Sequence, residues 1–416
     1  MTTQAVSTAA AEGGLEEFRE QVRSFLAEAL PEDFRGVAAL EPTARERFLG
    51  PWREALVRTG YLAPEWPVEY GGAGLSEAKR IVLDEELARV GAPLWPLPTD
   101  PIGMALLGPI VLLWGTPEQK RELLPRLVAG EHRWAQGFSE PEAGSDLFNL
   151  RTRAVRDGDD WVVDGHKVWQ TQGHHANWIF LLARTDQEAR NRDALSFLLV
   201  PLDQPGVVVS PLRTMTGETE FAEVRFDGAR TAAANVVGAP GRGAQVALSL
   251  LGLERSSLGV AHLHYRAELE RLVELARTQG LNADLGIRRR LAECRIKIEM
   301  MRMMSLQARE QAAAGAAPGP ESSVFKLFET TFDLQLTNLA MDLLGMAGTV
   351  TTGPASATVL GPDPVGTPNS SAAWQAAYLR SRAAVIYGGS SQIQRSTLGE
   401  QVLGLPREPR PGGVRA

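Results

Sequence analysis

Apolar residues recur at helical spacing through the first third of the chain. Leu15, Phe18, Val22, Phe25 and Leu26 line one face before Pro31 stops the segment. The same reading predicts a second helix from about Thr43 to Thr59. A third starts at Ser76, whose hydroxyl can cap free backbone N–H groups, and ends near Gly91. Thr116-Pro117-Glu118-Gln119 is a further start signal, with Thr at the N-cap, Pro in the first helical position and Gln placed to close a capping box. After about Glu131 the period changes. Asp157-Gly158 and Asp164-Gly165 are turn dipeptides that bracket the strand-like Trp161-Val162-Val163. Further strands are expected at Trp178 to Ala183, Leu195 to Pro201, Val207 to Val209 and Glu223 to Phe226. Helical spacing returns from about Ala244. Ile287, Leu291, Cys294, Ile298, Met301, Ser305 and Ala308 mark one long helix face. Phe325, Phe328, Phe332, Leu336, Leu339 and Leu343 mark a second, after the Pro318-Gly319-Pro320 turn.

The order α, then β, then α predicts an α+β chain. Its expected parts are a helical region at 1–133, a mostly antiparallel β domain at 134–240, a helical bundle at 241–405 and a tail at 406–416. Residues 349–372, rich in Gly, Pro, Ser and Thr, read as a long loop, and the tail after Leu405 as disordered. Gly238 to Gly243 reads as a domain linker rather than a dinucleotide fingerprint, because no βαβ pattern surrounds it.

Charge and cysteine content narrow the function. A net charge of −7 argues against nucleic acid, which demands a concentrated basic surface. The single cysteine cannot form an internal disulfide, and with no signal-like start or membrane-length apolar run it points to the cytoplasm. No metal is expected. The adjacent His174 and His175 would point to opposite sides of a strand and lack a spaced third ligand. Met300, Met301, Met303 and Met304 read as helix-interface filling, Arg288 to Arg290 as a solvated run, and Cys294 as inert.

Two segments carry candidate chemistry. Gly137-Phe138-Ser139-Glu140-Pro141-Glu142-Ala143-Gly144-Ser145-Asp146 is a loop whose small residues and Pro-fixed bend let backbone press against a flat ligand. About twenty residues on comes Gly165-His166-Lys167-Val168-Trp169-Gln170-Thr171. Together they resemble the flavin-binding segments of the acyl-CoA dehydrogenase family. The resemblance extends to Pro67 through Leu75, to Gly115 through Glu131, and to Ile386-Tyr387-Gly388-Gly389-Ser390-Ser391-Gln392-Ile393-Gln394-Arg395.

The resemblance implies a three-part fold of helices, β domain and helical bundle, with FAD as cofactor and an acyl-CoA thioester as substrate. It implies that Phe138 and Ser139 contact the isoalloxazine ring, that Trp169 and Thr171 lie against it, and that Ser390 and Gln392 reach the adenosine part. Ser145, and Arg255 beside the base, would fall on the substrate side. Many relatives place a catalytic Glu directly after the Tyr of the last motif, where this chain has Gly388. The family's second solution is a Glu on the first helix of the C-terminal domain, and Leu250-Leu251-Gly252-Leu253-Glu254-Arg255 matches that place. Glu254 is therefore the expected base, and the backbone N–H of Gly388 the expected donor to the thioester oxygen. The expected activity is α,β-dehydrogenation to the trans-2-enoyl-CoA, with an electron-transfer flavoprotein as acceptor. Homodimers or homotetramers, or a two-component heterotetramer, are the implied assemblies. Competing readings are a silent partner subunit of a heteromeric enzyme, and a flavin oxidase or monooxygenase on the same fold. The Arg-x-x-Phe-Gly of many relatives is absent, and Gly-Gly-x-Gly is altered to Leu344-Gly345-Met346-Ala347-Gly348.

Overall fold

A computed structural model describes residues 2–186, 188–189, 192–256, 260–313, 319–320, 322–354 and 361–407; the side chains of 2–13, 254–256, 309 and 312–313 lie outside that description. It divides into two compact units, residues 1–254 with 364–366, and residues 255–363 with 367–416.

The first unit begins with helices α1 (Thr2–Ala29), α2 (Pro42–Thr59), α3 (Glu77–Val90), α4 (Gly108–Trp114) and α5 (Pro117–Ala129). Phe18, Val22 and Leu26 of α1 are buried, as their spacing predicts. Arg19 and Arg23 then reach Glu86 of α3 at 2.9 and 3.2 Å. Ser76 accepts the Lys79 N–H to open α3, and Gly91 closes it at φ 72°. The Thr116–Gln119 capping box is complete in both directions, at 3.2 and 3.0 Å.

Eight strands follow: β1 (Trp134–Gly137), β2 (Arg153–Asp157), β3 (Asp160–Thr171), β4 (Trp178–Arg184), β5 (Leu195–Pro201), β6 (Val207–Leu212), β7 (Phe221–Ala232) and β8 (Val236–Val237). They form one sheet in the order β6-β7-β3-β2-β4-β5-β8, with β1 added to β4. Pairing is antiparallel except where β1 and β2 run parallel to β4. Strands β4 and β5 are apolar on both faces because both are covered. Phe180, Leu182, Phe197 and Leu199 join the helical core, while Ile179, Leu181, Leu198 and Val200 join a core on the opposite face. Helix α6 (Gly243–Ser256) leaves β8 and buries Val246, Ala247 and Leu250 in the first core.

Two expectations need correction. Gly158 makes the β2–β3 turn at φ 60°, but Asp164-Gly165 does not reverse the chain. Strand β3 runs straight through it, with only a register shift between Val163 and Gly165 against β7. A Cβ on Gly165 would come within 2.3 Å of Thr152 Oγ1, so the glycine serves close approach rather than a turn. Gly238 to Gly243, which joins β8 to the next helix, is closely packed: the Gly241 N–H donates to Ser196 Oγ at 3.0 Å, and a Cβ on Gly243 would meet the Ser196 backbone at 2.5 Å. His174 and His175 stand in a one-turn 3-10 helix, Gly173–His175, with ring centroids 4.2 Å apart, not on opposite sides of a strand.

The second unit holds α7 (Ala261–Thr278), α8 (Leu285–Ala313), α9 (Ser322–Leu344), α10 (Ser371–Ala384) and α11 (Ser391–Thr397). Its core joins Leu272, Cys294, Ile298, Met301, Phe332, Leu336, Leu339 and Trp374. Met301 is buried, but Met300 and Met303 are exposed on the far side of α8. Burial pushes the Cys294 thiol up to about 11, which keeps it protonated and unreactive. Asp363 anchors the loop before α10, accepting from Arg271 at 2.9 Å and Arg380 at 2.6 Å, while its N–H donates to Glu268 at 2.7 Å. The segments 355–360 and 408–416, parts of the expected loop and tail, lie outside the described residues.

Candidate active site

In the first unit the structure joins the two segments singled out above. The loop after β1 and strand β3 are clipped together at three levels. The Val168 N–H donates to Ser139 O at 3.0 Å. Lys167, fully buried, donates to Phe138 O at 3.2 Å and to the Glu140 carboxylate at 2.9 Å. Glu140 in turn accepts the N–H groups of Arg151 at 2.6 Å and Thr152 at 2.9 Å. Burial lowers the Lys167 ammonium to about 8, only partly offset by Glu140. Burial alone would raise Glu140, yet the Lys167 charge and the bonds from Thr152, Lys167 and Arg151 hold it below the usual carboxylate range.

Beside this clip the strand is strained. Trp169 adopts φ 69°, a left-handed conformation that bulky L-residues avoid, at the register shift between Val168 and Gln170. The bulge throws its ring outward, 60% exposed, with an edge-to-face contact to Phe221 at 5.8 Å. The next residue is then turned inward: Gln170 is fully buried, its amide N–H on Val168 O at 2.8 Å. Thr171, half-buried, ends the strand opposite Phe221. Gln172 follows at φ 52°, its N–H on Glu220 O at 2.9 Å.

The expected site residues are placed as follows. Ser139 is half-buried on the clipped loop, and Ser145 is exposed on its outer part. Phe138 turns its ring into the core, edge-on to Phe180 at 5.9 Å and Phe197 at 6.2 Å, so only its main chain remains to face a ligand. Glu254 and Arg255 fall in the last turn of α6, and their side chains lie outside the described residues.

In the second unit, Gly388 and Gly389 form a turn at φ 61° and 91° between α10 and α11. Ser390 caps α11 by accepting the Ile393 N–H at 3.3 Å, and Gln392 is exposed. Two side chains that sequence reading passed over hold this turn. Lys326 of α9 donates to Ala384 O at 3.1 Å and to Tyr387 O, while Gln394 donates to Gly388 O at 3.0 Å. Glu140 and Lys167 were also passed over as a pair. Lys167 does carry a signal, since it continues the inward alternation Trp161, Val163 where a charge demands a buried partner.

Among the described residues no group of three His, Cys, Asp or Glu could hold a metal ion, and no helix is long and apolar enough to cross a membrane. An exposed aromatic ring held in strain over a rigid clip fits a flat cofactor.

Comparison with known proteins agrees with that geometry. The N-terminal, middle and C-terminal domain descriptions of the acyl-CoA dehydrogenase family match residues 14–131, 135–229 and 241–403. Acyl-CoA dehydrogenase IpdE1 of Mycobacterium tuberculosis is 42% identical over 400 residues, covering 95% of this chain and 98% of that protein. Among solved structures, the Tcur3481-Tcur3483 steroid ACAD superposes with a TM-score of 0.78 at 29% identity, over 95% of this chain and 98% of the other. The ChsE4-ChsE5 complex from Mycobacterium tuberculosis gives a TM-score of 0.74 at 30% identity, over the same shares. The helical regions and central sheet are those of that family's fold, and the chain belongs to the acyl-CoA dehydrogenases, an oxidoreductase enzyme family.

Proposed function

We propose that this enzyme uses FAD to introduce a trans α,β double bond into a ring-bearing acyl-CoA thioester. The observation that carries the reading is Trp169, whose ring is presented to solvent at a backbone strain that packing alone does not reward. Ser139, Trp169 and Thr171 would hold the flavin ring system, with Phe138 contributing main chain, and Ser390 and Gln392 would serve the nucleotide end. FAD, when bound, supplies a two-electron acceptor for the hydride that leaves the β-carbon.

The chain's own part is proton transfer and charge stabilisation. The α C–H bond breaks and its proton passes to the Glu254 carboxylate, since a glycine at 388 offers none. Glu254 follows the run in which Val246, Ala247 and Leu250 are buried. A base for this transfer needs a raised proton affinity, which an apolar setting would supply. The Gly388 N–H would donate to the thioester oxygen as enolate-like charge develops there, a contribution of about 3 kcal/mol for a donor in comparable sites. Arg255 and Ser145 would lie on the substrate side.

A ring-bearing substrate is supported by the steroid named for one relative above and by Gly252, where an added Cβ would meet nothing within 4 Å. A second copy or a homologous partner would cover the exposed Ile296, Met300 and Met303 of α8, as the paired names of two solved relatives suggest. An electron-transfer flavoprotein in the cytoplasm would be the acceptor. The test is an anaerobic titration of purified protein with CoA esters of steroid side chains and of straight-chain acids. Bleaching of bound FAD at lower concentrations of the steroid esters supports the reading. A colourless protein that turns over none of them refutes it.

A further inference from the structure

Gly388 is assigned a donor role through its backbone N–H, and the structure contains a device that aims that group. The Tyr387 carbonyl and the Gly388 N–H belong to one planar trans peptide unit, so fixing the direction of the first fixes the opposite direction of the second. The Tyr387 carbonyl is taken by the Lys326 ammonium. The same ammonium holds Ala384 O at 3.1 Å and lies 5.2 Å from the centroid of the Tyr387 ring. The next peptide is held from the other side. Gln394, buried, donates to Gly388 O at 3.0 Å, and a Cβ on Gly389 would approach its amide nitrogen to 2.5 Å. Among the described residues, no acceptor takes the Gly388 N–H itself.

We propose that Lys326 is a positioning residue for the dehydrogenation: by gripping the Tyr387 carbonyl it points the Gly388 N–H outward and polarises it as a donor for the thioester oxygen. A charge on the carbonyl end of a peptide draws electron density away from its N–H end, and hydrogen bonds in series reinforce one another. The bland alternative is that Lys326 merely caps the last carbonyls of α10, as cations near helix C-termini do. The two roles differ in what they do to a bound substrate. A cap contributes stability and nothing else. A polarised donor makes the substrate's α-proton more acidic.

This inference rests on the dehydrogenase reading, and the experiment separates the two. FAD-loaded wild type, Lys326→Met and Lys326→Gln are compared with an acyl-CoA analogue carrying sulfur in place of the β-carbon. That analogue can lose its α-proton but has no hydride to give, and its anion is followed by the long-wavelength absorption it develops beside flavin. Melting temperature, flavin content and hydrogen exchange of residues 385–391 are measured on the same preparations. The expected result for Lys326→Met is retained flavin, exchange in that segment about ten-fold faster, and the analogue's apparent pKa raised by about one unit. In turnover, kcat falls about 10- to 100-fold with KM little changed, less than the loss from deleting a donor outright. Lys326→Gln, which keeps a neutral donor, should fall between and carries the test if the Met variant does not fold. Wild-type acidity and kcat in a folded variant, with only the melting temperature lowered, would overturn the positioning role. A wild-type protein that binds no flavin or fails to ionise the analogue would instead sink the dehydrogenase reading, and this inference with it.

Discussion

Trp169 and Gly388 both sit at positive φ, 69° and 61°, but different structures hold them there. Trp169 is a bulge in a sheet strand that is paired along nearly its whole length with β7 and clipped to the preceding loop by a buried ion pair. Its strain is distributed over many backbone bonds. Gly388 lies in a short turn whose geometry depends on two side chains, Lys326 and Gln394. A bulky residue can be forced into the left-handed region only where the surroundings over-determine it, whereas glycine goes there freely. The sheet therefore supplies a rigid platform, and in the proposed reaction the turn would supply a donor that single side chains can retune.

The largest expected effect breaks the platform. Lys167→Met leaves Glu140 buried with its two backbone donors and no counter-charge, which should cost about 3–5 kcal/mol in urea unfolding. Adding Glu140→Gln removes the unpaired charge and should recover much of that loss. A single mutant as stable as wild type would mean that the clip does not hold the loop.

The second unit responds to pH instead. Burial, then the Glu329 charge, raises Asp333 to about 7, and burial raises Glu329 to about 7 against the pull of Lys326. Both carboxyls hold protons more tightly folded than unfolded. Their contribution is fully present below about pH 4 and is lost as pH rises through about 7. Asp333→Asn should flatten that decline, a change on the order of 2 kcal/mol between pH 5 and pH 8. Melts of wild type and variant at the two pH values check it, and equal slopes would contradict the burial argument.

The smallest effect sharpens the claim that strain at Trp169 serves binding. Trp169→Asn, which tolerates the left-handed region, should stabilise the protein by about 1 kcal/mol and weaken flavin affinity about ten-fold. Stability and affinity falling together would show that the ring is structural.

What the sequence disclosed follows the range of the forces involved. The Ser76 cap and the Thr116–Gln119 box were legible because both ends of each bond lie within one helical turn. The paired faces of α8 and α9 were legible from period alone, down to the burial of Cys294 and Leu336. Asp164-Gly165 was misread because a local turn signal cannot be told from a glycine required by a neighbour, here Thr152 just before the adjoining strand β2. The bulge at Trp169 depends on register with β7, roughly fifty residues away, and has no local signature. Strand geometry was applied to His174 and His175, in the segment before β4, for want of any sign of the short 3-10 turn that carries them. Likewise Lys326 and the carbonyl it grips are 61 positions apart, and a lysine on a helix ordinarily signals only solvent.

The account stands on the identity of the base, and stopped-flow reduction of the bound flavin by a reactive acyl-CoA under anaerobic conditions tests it most directly. Glu254→Gln should retain flavin and bind the thioester, yet reduce flavin about 10³-fold more slowly, within the range a positioned acid–base group provides. Reduction at the wild-type rate by that variant would contradict the account.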